Sequence, residues 1–143
     1  MSIADMISPE TVKAPLEGKG KNEVIRELLT LLKDAGRIDK LDDAFDAIRR
    51  REDQGSTGLG DGIAVPHAKT DLVERLTLAL GVAPDGVDFD SLDGQPTKIF
   101  FLLLAPPSQS GQHLEALAEV GKMAQSRSFL RLLSGARSAE EVL

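Results

Sequence analysis

Hydrophobic residues recur at helical spacing in three stretches of the chain. In the first stretch they follow Asn22, a favourable N-cap residue, and they stop before Gly36, a residue type that commonly ends helices. A second stretch runs from about Leu41 to Arg51, and a third begins at His113. The apolar positions that define the three stretches are Val24, Ile25, Leu28, Leu29, Leu31 and Leu32; then Leu41, Ala44, Phe45 and Ile48; then Leu114, Leu117, Ala118, Val120, Met123 and Ala124. This periodicity predicts three amphipathic helices.

Three other apolar stretches have the pattern of β-strands. Ile63–Pro66 is short and ends at proline, which predicts a strand end or an edge. Leu76–Val82 is predicted to be a further strand. Ile99–Ala105 is apolar at every position, which is typical of a central strand buried on both faces. Between these strands, Gly55–Gly62 has four glycines in eight positions and is predicted to be a loop, while Ala83–Gly94 is predicted to consist of turns.

Helices that alternate with strands, one of them wholly apolar, predict an α/β sheet covered by helices on both faces. Because the sequence contains no internal repeat and no low-complexity linker, residues 1–143 are predicted to form a single domain. Two further helix starts are indicated near the end of the chain. Ser126 or Ser128 is placed to cap a helix through Leu133, and Ser138–Glu141 has the spacing of a capping box.

Composition narrows the chemistry that this fold can carry. The 143 residues include 17 Lys and Arg against 23 Asp and Glu, no cysteine, and two histidines, His67 and His113. Without cysteine there is no disulfide, thiol nucleophile or thiolate metal site. A net charge of −6 with few aromatic residues argues against nucleic acid as a partner. The two histidines are therefore the first candidates for a nitrogen nucleophile or a proton shuttle.

No segment has the pattern of a membrane anchor. The longest apolar run has seven residues, Ile99–Ala105, whereas a bilayer requires about 20 residues of helix. The first nine residues lack a basic segment followed by an apolar one, as a secretory signal would have. A cytoplasmic location is expected, with membrane contact only through a partner.

Local sequence leaves the glycine loop open to two interpretations. A dinucleotide-binding loop follows a strand and opens a helix, whereas Gly55–Gly62 follows a charged helix and precedes a strand. The loop also lacks the Gly-Lys-Ser/Thr ending of a P-loop. On this basis a mobile turn is favoured over a phosphate-binding loop.

The surroundings of His67 favour an anion pocket. His67 follows Pro66 at the end of an apolar strand, and the glycine loop can bring it close to Arg49–Arg51. Arginine, histidine and exposed backbone amides together suit an anion. The alternative is a structural histidine, with arginines that complement the negative end of a helix dipole.

His113 also has two interpretations. At a helix start it can cap the helix, or it can lie where backbone amides converge on an anion, and sequence favours the cap. A metal site is a poor match, because there is no HxxxH pair and no carboxylate at ligand spacing. A Ser-His-Asp hydrolase is equally poor, because the chain has no Gly-x-Ser-x-Gly motif.

The segment from Arg51 to His67 closely resembles a known active-site signature. It reads Arg-Glu-Asp-Gln-Gly-Ser-Thr-Gly-Leu-Gly-Asp-Gly-Ile-Ala-Val-Pro-His. This long, ordered pattern is that of the type-2 enzyme IIA domains, the fructose, mannitol and nitrogen-regulatory members of the bacterial phosphoenolpyruvate-dependent phosphotransferase system. The resemblance continues through the apolar strand from Ile99, the loop containing Pro106, and His113-Leu114.

The resemblance implies a fold and a function for residues 1–143. It implies one type-2 enzyme IIA domain with a mixed β-sheet flanked by helices. His67 matches the phosphorylated histidine, Arg51 the arginine beside it, and His113 a second histidine that is not phosphorylated. Such a phosphotransferase component takes its phosphoryl group from phospho-HPr or a paralogue. It needs no metal or organic cofactor.

Two downstream roles and one rival remain open at this stage. A sugar-transport member passes the phosphoryl group to a cysteine of an enzyme IIB partner, whereas a nitrogen-regulatory member acts on a kinase or transporter through its phosphorylation state. The stand-alone chain and its glycine loop favour the regulatory type slightly. The rival is a non-catalytic protein-binding module with the same fold.

Physical chemistry adds two expectations to this resemblance. Thr57 and Ser56, with the loop amides, are expected to supply neutral hydrogen bonds to the phosphate. The second ring nitrogen of His67 is expected to be fixed by a hydrogen bond, so that a single tautomer presents the reacting lone pair.

Overall fold

Three α-helices and six β-strands make up the part of the chain that the structure describes, residues 7–60, 62–91, 93–123, 126, 131 and 133 of a computed structural model. The helices are α1 (Lys21–Asp34), α2 (Leu41–Asp53) and α3 (Ser110–Met123). The strands are β1 (Val12–Lys13), β2 (Gly58–Gly60), β3 (Ile63–Ala64), β4 (His67–Lys69), β5 (Thr77–Val87) and β6 (Thr97–Ala105). Most of the helix predicted from Ser126 or Ser128 through Leu133, and all of the capping box at 138–141, lie outside the described residues.

The strands form one mixed sheet around the antiparallel pair β5 and β6. Its order is β1-β5-β6-β3-β2, and β4 also pairs with β6. Strand β1 runs parallel to β5, β3 and β4 run parallel to β6, and β2 runs antiparallel to β3. The mixed α/β fold implied by the resemblance is confirmed.

Alternate residues of β6 build the two halves of the hydrophobic core. Phe100, Leu102 and Leu104 pack with α1 and α2 on one face of the sheet. Ile99, Phe101 and Leu103 pack with Ala116 and Val120 of α3 on the other face. All of these β6 side chains are buried, so the prediction of a central strand buried on both faces is confirmed.

The end of α1 follows the prediction, but its start does not. Gly36 has a φ of +74°, a conformation that glycine adopts readily after a helix C-terminus. The N-cap is Gly20 rather than Asn22, because the Gly20 carbonyl accepts the first helical hydrogen bond, from Val24 N at 3.0 Å. Asn22 therefore lies inside the first turn, and the prediction that it caps the helix is wrong.

Two segments predicted as irregular belong to the sheet. Within the glycine loop, Gly58–Gly60 is strand β2, and a Cβ at Gly58 would lie only 2.9 Å from Ser91 Cα. Strand β5 continues to Val87, which pairs with Thr97 across an irregularity in the ladder. Pairing with a neighbouring strand decides both segments, β2 with β3 and Val87 with Thr97 of β6, whereas their glycines and proline indicate turns locally.

Candidate functional site

The last turn of α2, strand β4 and the first turns of α3 border a cleft of about 500 Å³. Its polar lining consists of Arg50, Arg51, Gln54, His67, Lys69 and His113. Leu114 and Leu117 contribute apolar surface on the α3 side. The structure therefore brings together Arg51, His67 and His113, which lie on three different elements of the fold.

A break in the sheet at Pro66 places His67 at this cleft. Strands β3 and β4 both pair with β6, with Ile63 opposite Ile99 and His67 opposite Leu103. Between them lies Pro66, which has no N–H to donate, although its carbonyl still accepts a bond of 2.9 Å from Leu103 N. His67 resumes the parallel pairing as the first residue of β4.

A backbone carbonyl sets the tautomer of His67. Nδ1 of His67 lies 2.7 Å from Val65 O, which can only accept a hydrogen bond, so Nδ1 carries the proton. In the neutral ring Nε2 then holds the free lone pair. The expectation that one ring nitrogen is fixed by a hydrogen bond is confirmed.

The surroundings of His67 also favour its neutral form. Burial lowers the pKa of His67 below its ordinary value of 6.5, and the Arg51 guanidinium lowers this pKa further. The hydrogen bond to Val65 and the carboxylate of Glu52 oppose this without cancelling it. At neutral pH the ring is therefore uncharged, with a free lone pair on Nε2.

His113 faces His67 from α3. It is the fourth residue of the helix, 4% exposed, and its ring centroid lies 5.3 Å from that of His67. The helix starts at Ser110, because the short 3₁₀ turn Pro107–Gln109 leads directly into it. The interpretation of His113 as the helix cap is therefore wrong.

The ring of His113 is a buried polar group with spare hydrogen-bonding capacity. Within the described residues, its Nε2 has no hydrogen-bond partner. Burial lowers the pKa of His113 to about 4, with smaller contributions from His67 and Lys69. A polar atom left unpaired in a protein interior costs free energy, and such atoms often mark functional sites.

Arg51 is held at the end of α2. The helix continues to Asp53, two residues past the predicted end, so Arg51 lies in its last turn. Its Nη1 donates a 2.8 Å hydrogen bond to Gly55 O. This bond occupies one of the five N–H donors of the guanidinium group, which lines the cleft beside His67.

Ser56 and Thr57 have other partners. Ser56 Oγ donates to Phe89 O at 2.8 Å, and the Thr57 hydroxyl donates to the carboxylate of Glu52. Thr57 is 3% exposed, and neither residue is part of the cleft lining. The structure therefore does not bring them together with His67, and their phosphate-binding role stays a prediction.

Sequence reasoning missed Lys69, Leu114 and Glu52. Lys69 lies two residues after His67 in β4, and this spacing places both side chains on one face of a strand. Leu114 is an apolar residue at the cleft with 67% of its surface exposed. Glu52 is buried although it lies in a run of charged residues, and no local pattern indicates that burial.

Two further searches concern metal and membrane. Within the described ranges, no three His, Cys, Asp or Glu side chains cluster closely enough to hold a metal ion. None of the helices in that part of the chain combines the length and the apolar character needed to cross a membrane.

Comparison with known proteins gives the family. The family model for the phosphoenolpyruvate-dependent sugar phosphotransferase system, EIIA 2, matches residues 5–143. The chain therefore belongs to the type-2 EIIA family, and the resemblance seen in the sequence is confirmed.

Relatives within the family carry two kinds of name. The chain is 38% identical over 143 residues to the fructose-specific EIIABC component of Bacillus subtilis, covering all of this chain but 22% of that protein. It is 38% identical over 138 residues to the fructose-specific EIIA component of Haloferax volcanii, covering 96% and 86% of the two chains. It is 30% identical over 143 residues to a nitrogen regulatory protein of Bradyrhizobium diazoefficiens, covering 99% and 92%.

Solved structures agree with the fold. Nitrogen regulatory protein IIA-Ntr from Neisseria meningitidis superposes with a TM-score of 0.88 at 32% identity, covering 98% of this chain and 95% of that one. Mannitol IIA of Escherichia coli, solved in complex with phosphorylated mannitol IIB, gives a TM-score of 0.81 at 22% identity, covering 96% and 94%. At that identity the second similarity concerns the fold alone.

Proposed function

We propose that this protein is a histidine phosphocarrier in which Nε2 of His67 accepts and passes on a phosphoryl group. The observation that carries the proposal is the state of this ring at the cleft. Val65 O holds the proton on Nδ1, and burial keeps the pKa of His67 low, so Nε2 is a neutral nucleophile. Arg51 and His113 lie beside it in the same cleft.

The proposed donor is a phosphohistidine protein, HPr or a paralogue. In the transfer, the P–N bond of the donor breaks and its electron pair stays on the donor nitrogen. At the same time, the lone pair of His67 Nε2 forms the new P–N bond. Negative charge spreads over the three equatorial oxygens in the transition state, so neighbouring hydrogen-bond donors and positive charge accelerate the step. Arg51 supplies a cationic fork of N–H groups for these oxygens.

His113 is proposed to assist without being phosphorylated. Its Nε2 is buried and has no partner among the described residues, so a phosphoryl oxygen at His67 would give that nitrogen a hydrogen-bond partner. Such a bond forms only when the phosphoryl group is present. It therefore favours the transferring and phosphorylated states over the resting state.

Both downstream roles of the family remain candidates. The fructose-specific relatives favour transfer to an enzyme IIB partner, and mannitol IIA of Escherichia coli is known in complex with phosphorylated IIB. The nitrogen regulatory relatives favour control of a kinase or transporter by the phosphorylation state. In either role the carrier would act in the cytoplasm and meet a membrane only through its partner.

The deciding experiment measures phosphorylation. The protein is incubated with phosphoenolpyruvate, enzyme I and HPr, and its mass is followed. We expect the addition of one acid-labile phosphate, which is absent in His67→Ala and still formed in the matched variant His113→Ala. Failure of a cognate HPr to phosphorylate the folded protein would support the rival, a non-catalytic binding module.

A capture experiment separates the two downstream roles. A IIB domain retained by the immobilised protein supports sugar transport. A kinase or transporter retained in one phosphorylation state and released in the other supports regulation.

A further inference from the structure

Glu52, the residue after Arg51, is a buried carboxylate with a full set of partners. It is 5% exposed and receives Lys21 Nζ at 2.8 Å. It also accepts hydrogen bonds from the Thr57 backbone N–H, at 3.3 Å, and from the Thr57 hydroxyl. Lys21 Nζ lies 4.8 Å from the centroid of the Phe89 ring, which further fixes the cation. A carboxylate is costly to bury unless it is paired in this way.

Thr57 connects this carboxylate to both halves of the phosphoryl-transfer site. Two residues before Thr57, Gly55 O accepts the hydrogen bond of 2.8 Å from Arg51 Nη1. On the other side, Thr57 O accepts a bond of 3.0 Å from Val65 N, and Val65 O holds Nδ1 of His67. The turn around Thr57 therefore positions the arginine and the histidine together.

A second anchor fixes the same turn from the neighbouring loop. Ser56 Oγ donates to Phe89 O at 2.8 Å and accepts from Gly58 N at 3.1 Å. Ser56 and Thr57 are thus tied to two different parts of the fold. Their hydroxyl groups are engaged on the inner side of the loop, away from the cleft lining.

We propose that Glu52 is a positioning residue for phosphoryl transfer. Together with Lys21 it fixes Thr57, and the turn at Thr57 holds Arg51 and His67 in their relative positions at the cleft. This inference rests on the proposed function. Replacing a buried ion pair by apolar residues often leaves stability unchanged, so a positioning role accounts for the Lys21–Glu52 pair better than stability does. It also gives Thr57 an indirect role in the site, because its hydroxyl holds the turn and makes no contact with the phosphate.

The test compares two substitutions at one position. Thr57→Val keeps the shape of the side chain but removes the hydroxyl, whereas Thr57→Ser keeps the hydroxyl. We expect Thr57→Val to slow phosphoryl acceptance by His67 about tenfold, and Thr57→Ser to stay within about twofold of the unmodified protein. Thr30→Val, on the exposed side of α1, is the matched control and should change nothing. A folded Thr57→Val protein that accepts phosphate at the full rate overturns the proposal.

A second readout separates positioning from a general loss of structure. The link from Thr57 to His67 is its backbone oxygen, which Thr57→Val keeps, so the effect of the lost hydroxyl is expected mainly through Arg51. Thr57→Val should therefore slow an Arg51→Ala protein by less than twofold. Equal effects of Thr57→Val in both backgrounds would overturn the proposal.

The third readout does not depend on phosphorylation. The Arg51 guanidinium helps to lower the pKa of His67, so a displaced Arg51 lets this pKa rise. We expect an NMR titration of the His67 ring to show that rise in Thr57→Val and not in Thr57→Ser. A protein that HPr cannot phosphorylate refutes the proposed function, yet this titration still decides the positioning role. An unchanged His67 titration in Thr57→Val contradicts it.

If the Thr57→Val protein does not fold, a second variant tests the same proposal. Lys21→Met removes the ammonium group from Glu52 and keeps an aliphatic chain beside Phe89. It should slow phosphoryl acceptance in the same direction as Thr57→Val, with the effect again reduced in the Arg51→Ala background. A folded Lys21→Met protein with an unchanged rate overturns the proposal.

Discussion

The ring of His113 meets the ring of His67 edge-on, with centroids 5.3 Å apart and planes inclined by 74°. Burial is the largest influence on the pKa of both rings, and it lowers both. Two neutral imidazoles therefore share the cleft at neutral pH. This pair carries no positive charge until one of the rings binds a proton.

The first prediction concerns the pH range in which His67 reacts. Because its folded-state pKa lies below 6.5, the neutral nucleophile persists as the pH falls through 6.5 and is lost only below that value. An NMR titration of the ring in the unphosphorylated protein measures this midpoint. Arg51→Gln should raise the midpoint, since it removes a neighbouring cation. A midpoint at or above 6.5 in the unmodified protein would contradict the prediction.

The second prediction concerns the role of His113 in transfer. His113→Ala removes the proposed partner of the phosphoryl oxygens but leaves His67 and its bond to Val65 intact. We expect the variant to be phosphorylated by HPr and to pass the phosphoryl group on about tenfold more slowly or worse. Single-turnover transfer from the isolated phosphoprotein measures this step. Complete loss of phosphorylation by HPr would show that His113 is needed for acceptance as well.

The third prediction concerns stability at acid pH. The folded-state pKa of His113 is about 4, against 6.5 as its ordinary value, so the unfolded chain binds a proton first as the pH falls. The neutral ring of His113 makes its full contribution to the free energy of unfolding above pH 6.5. This contribution is lost progressively down to about pH 4, by roughly 3 kcal/mol in all.

Urea unfolding at pH 7 and pH 4.5 tests this loss against a matched variant. His113→Gln lacks the titrating ring, whereas the carboxylates titrate in both proteins. The unmodified protein should therefore lose more free energy of unfolding between the two pH values. Equal losses of the free energy of unfolding in the two proteins would refute the lowered pKa of His113.

The fourth prediction concerns the geometry of Arg51. Arg51→Lys keeps the charge but replaces a planar fork of donors, one of which holds Gly55 O, with a single ammonium group. We expect phosphoryl acceptance to slow by about tenfold, with the fold unchanged. The same substitution at Arg37, whose exposed side chain pairs with Glu10, is the control and should have no effect. Full activity of Arg51→Lys would mean that charge alone is sufficient.

The fifth prediction concerns the docking of the phosphohistidine donor. Leu114 is next to His113, lines the cleft and has 67% of its surface exposed, so a donor whose histidine reaches His67 must cover it. Leu114→Asp should raise the KM for phospho-HPr about tenfold with a smaller change in kcat. Leu59→Asp is the control, because Leu59 is 45% exposed and lies on β2, outside the cleft lining. Equal effects of the two substitutions would contradict a role for Leu114 in docking.

Hydrophobic patterns alone predict most of this fold, because burial decides those segments. Strand β6 is apolar from Ile99 to Ala105, and its alternate residues pack against helices on both faces of the sheet. The patterns fail where strand pairing outweighs the local preference of glycine and proline for turns. Gly58–Gly60 becomes a strand because β3 lies beside it, and Val87 because Thr97 lies opposite.

The sequence likewise predicts one part of the candidate site and not the other. The motif from Arg51 to His67 indicates both residues, and the structure places them at one cleft. The position of His113 depends on where α3 begins, which the turn at Pro107–Gln109 determines and local sequence does not. The burial of Glu52 depends on Lys21, on another helix, so the charged run around Glu52 gives no sign of it.

The break in the sheet at Pro66 has a consequence for how the protein tolerates mutation. The atom that sets the tautomer of His67 is the main-chain oxygen of Val65, which every amino acid possesses. The turn that positions Arg51 depends instead on the side chains of Thr57, Glu52 and Lys21, and His67 depends on that turn only through the backbone hydrogen bond from Val65 N to Thr57 O. A random substitution should therefore disturb the position of Arg51 more often than the tautomer of His67. We therefore expect that most single substitutions that reduce activity without touching His67 do so by displacing Arg51.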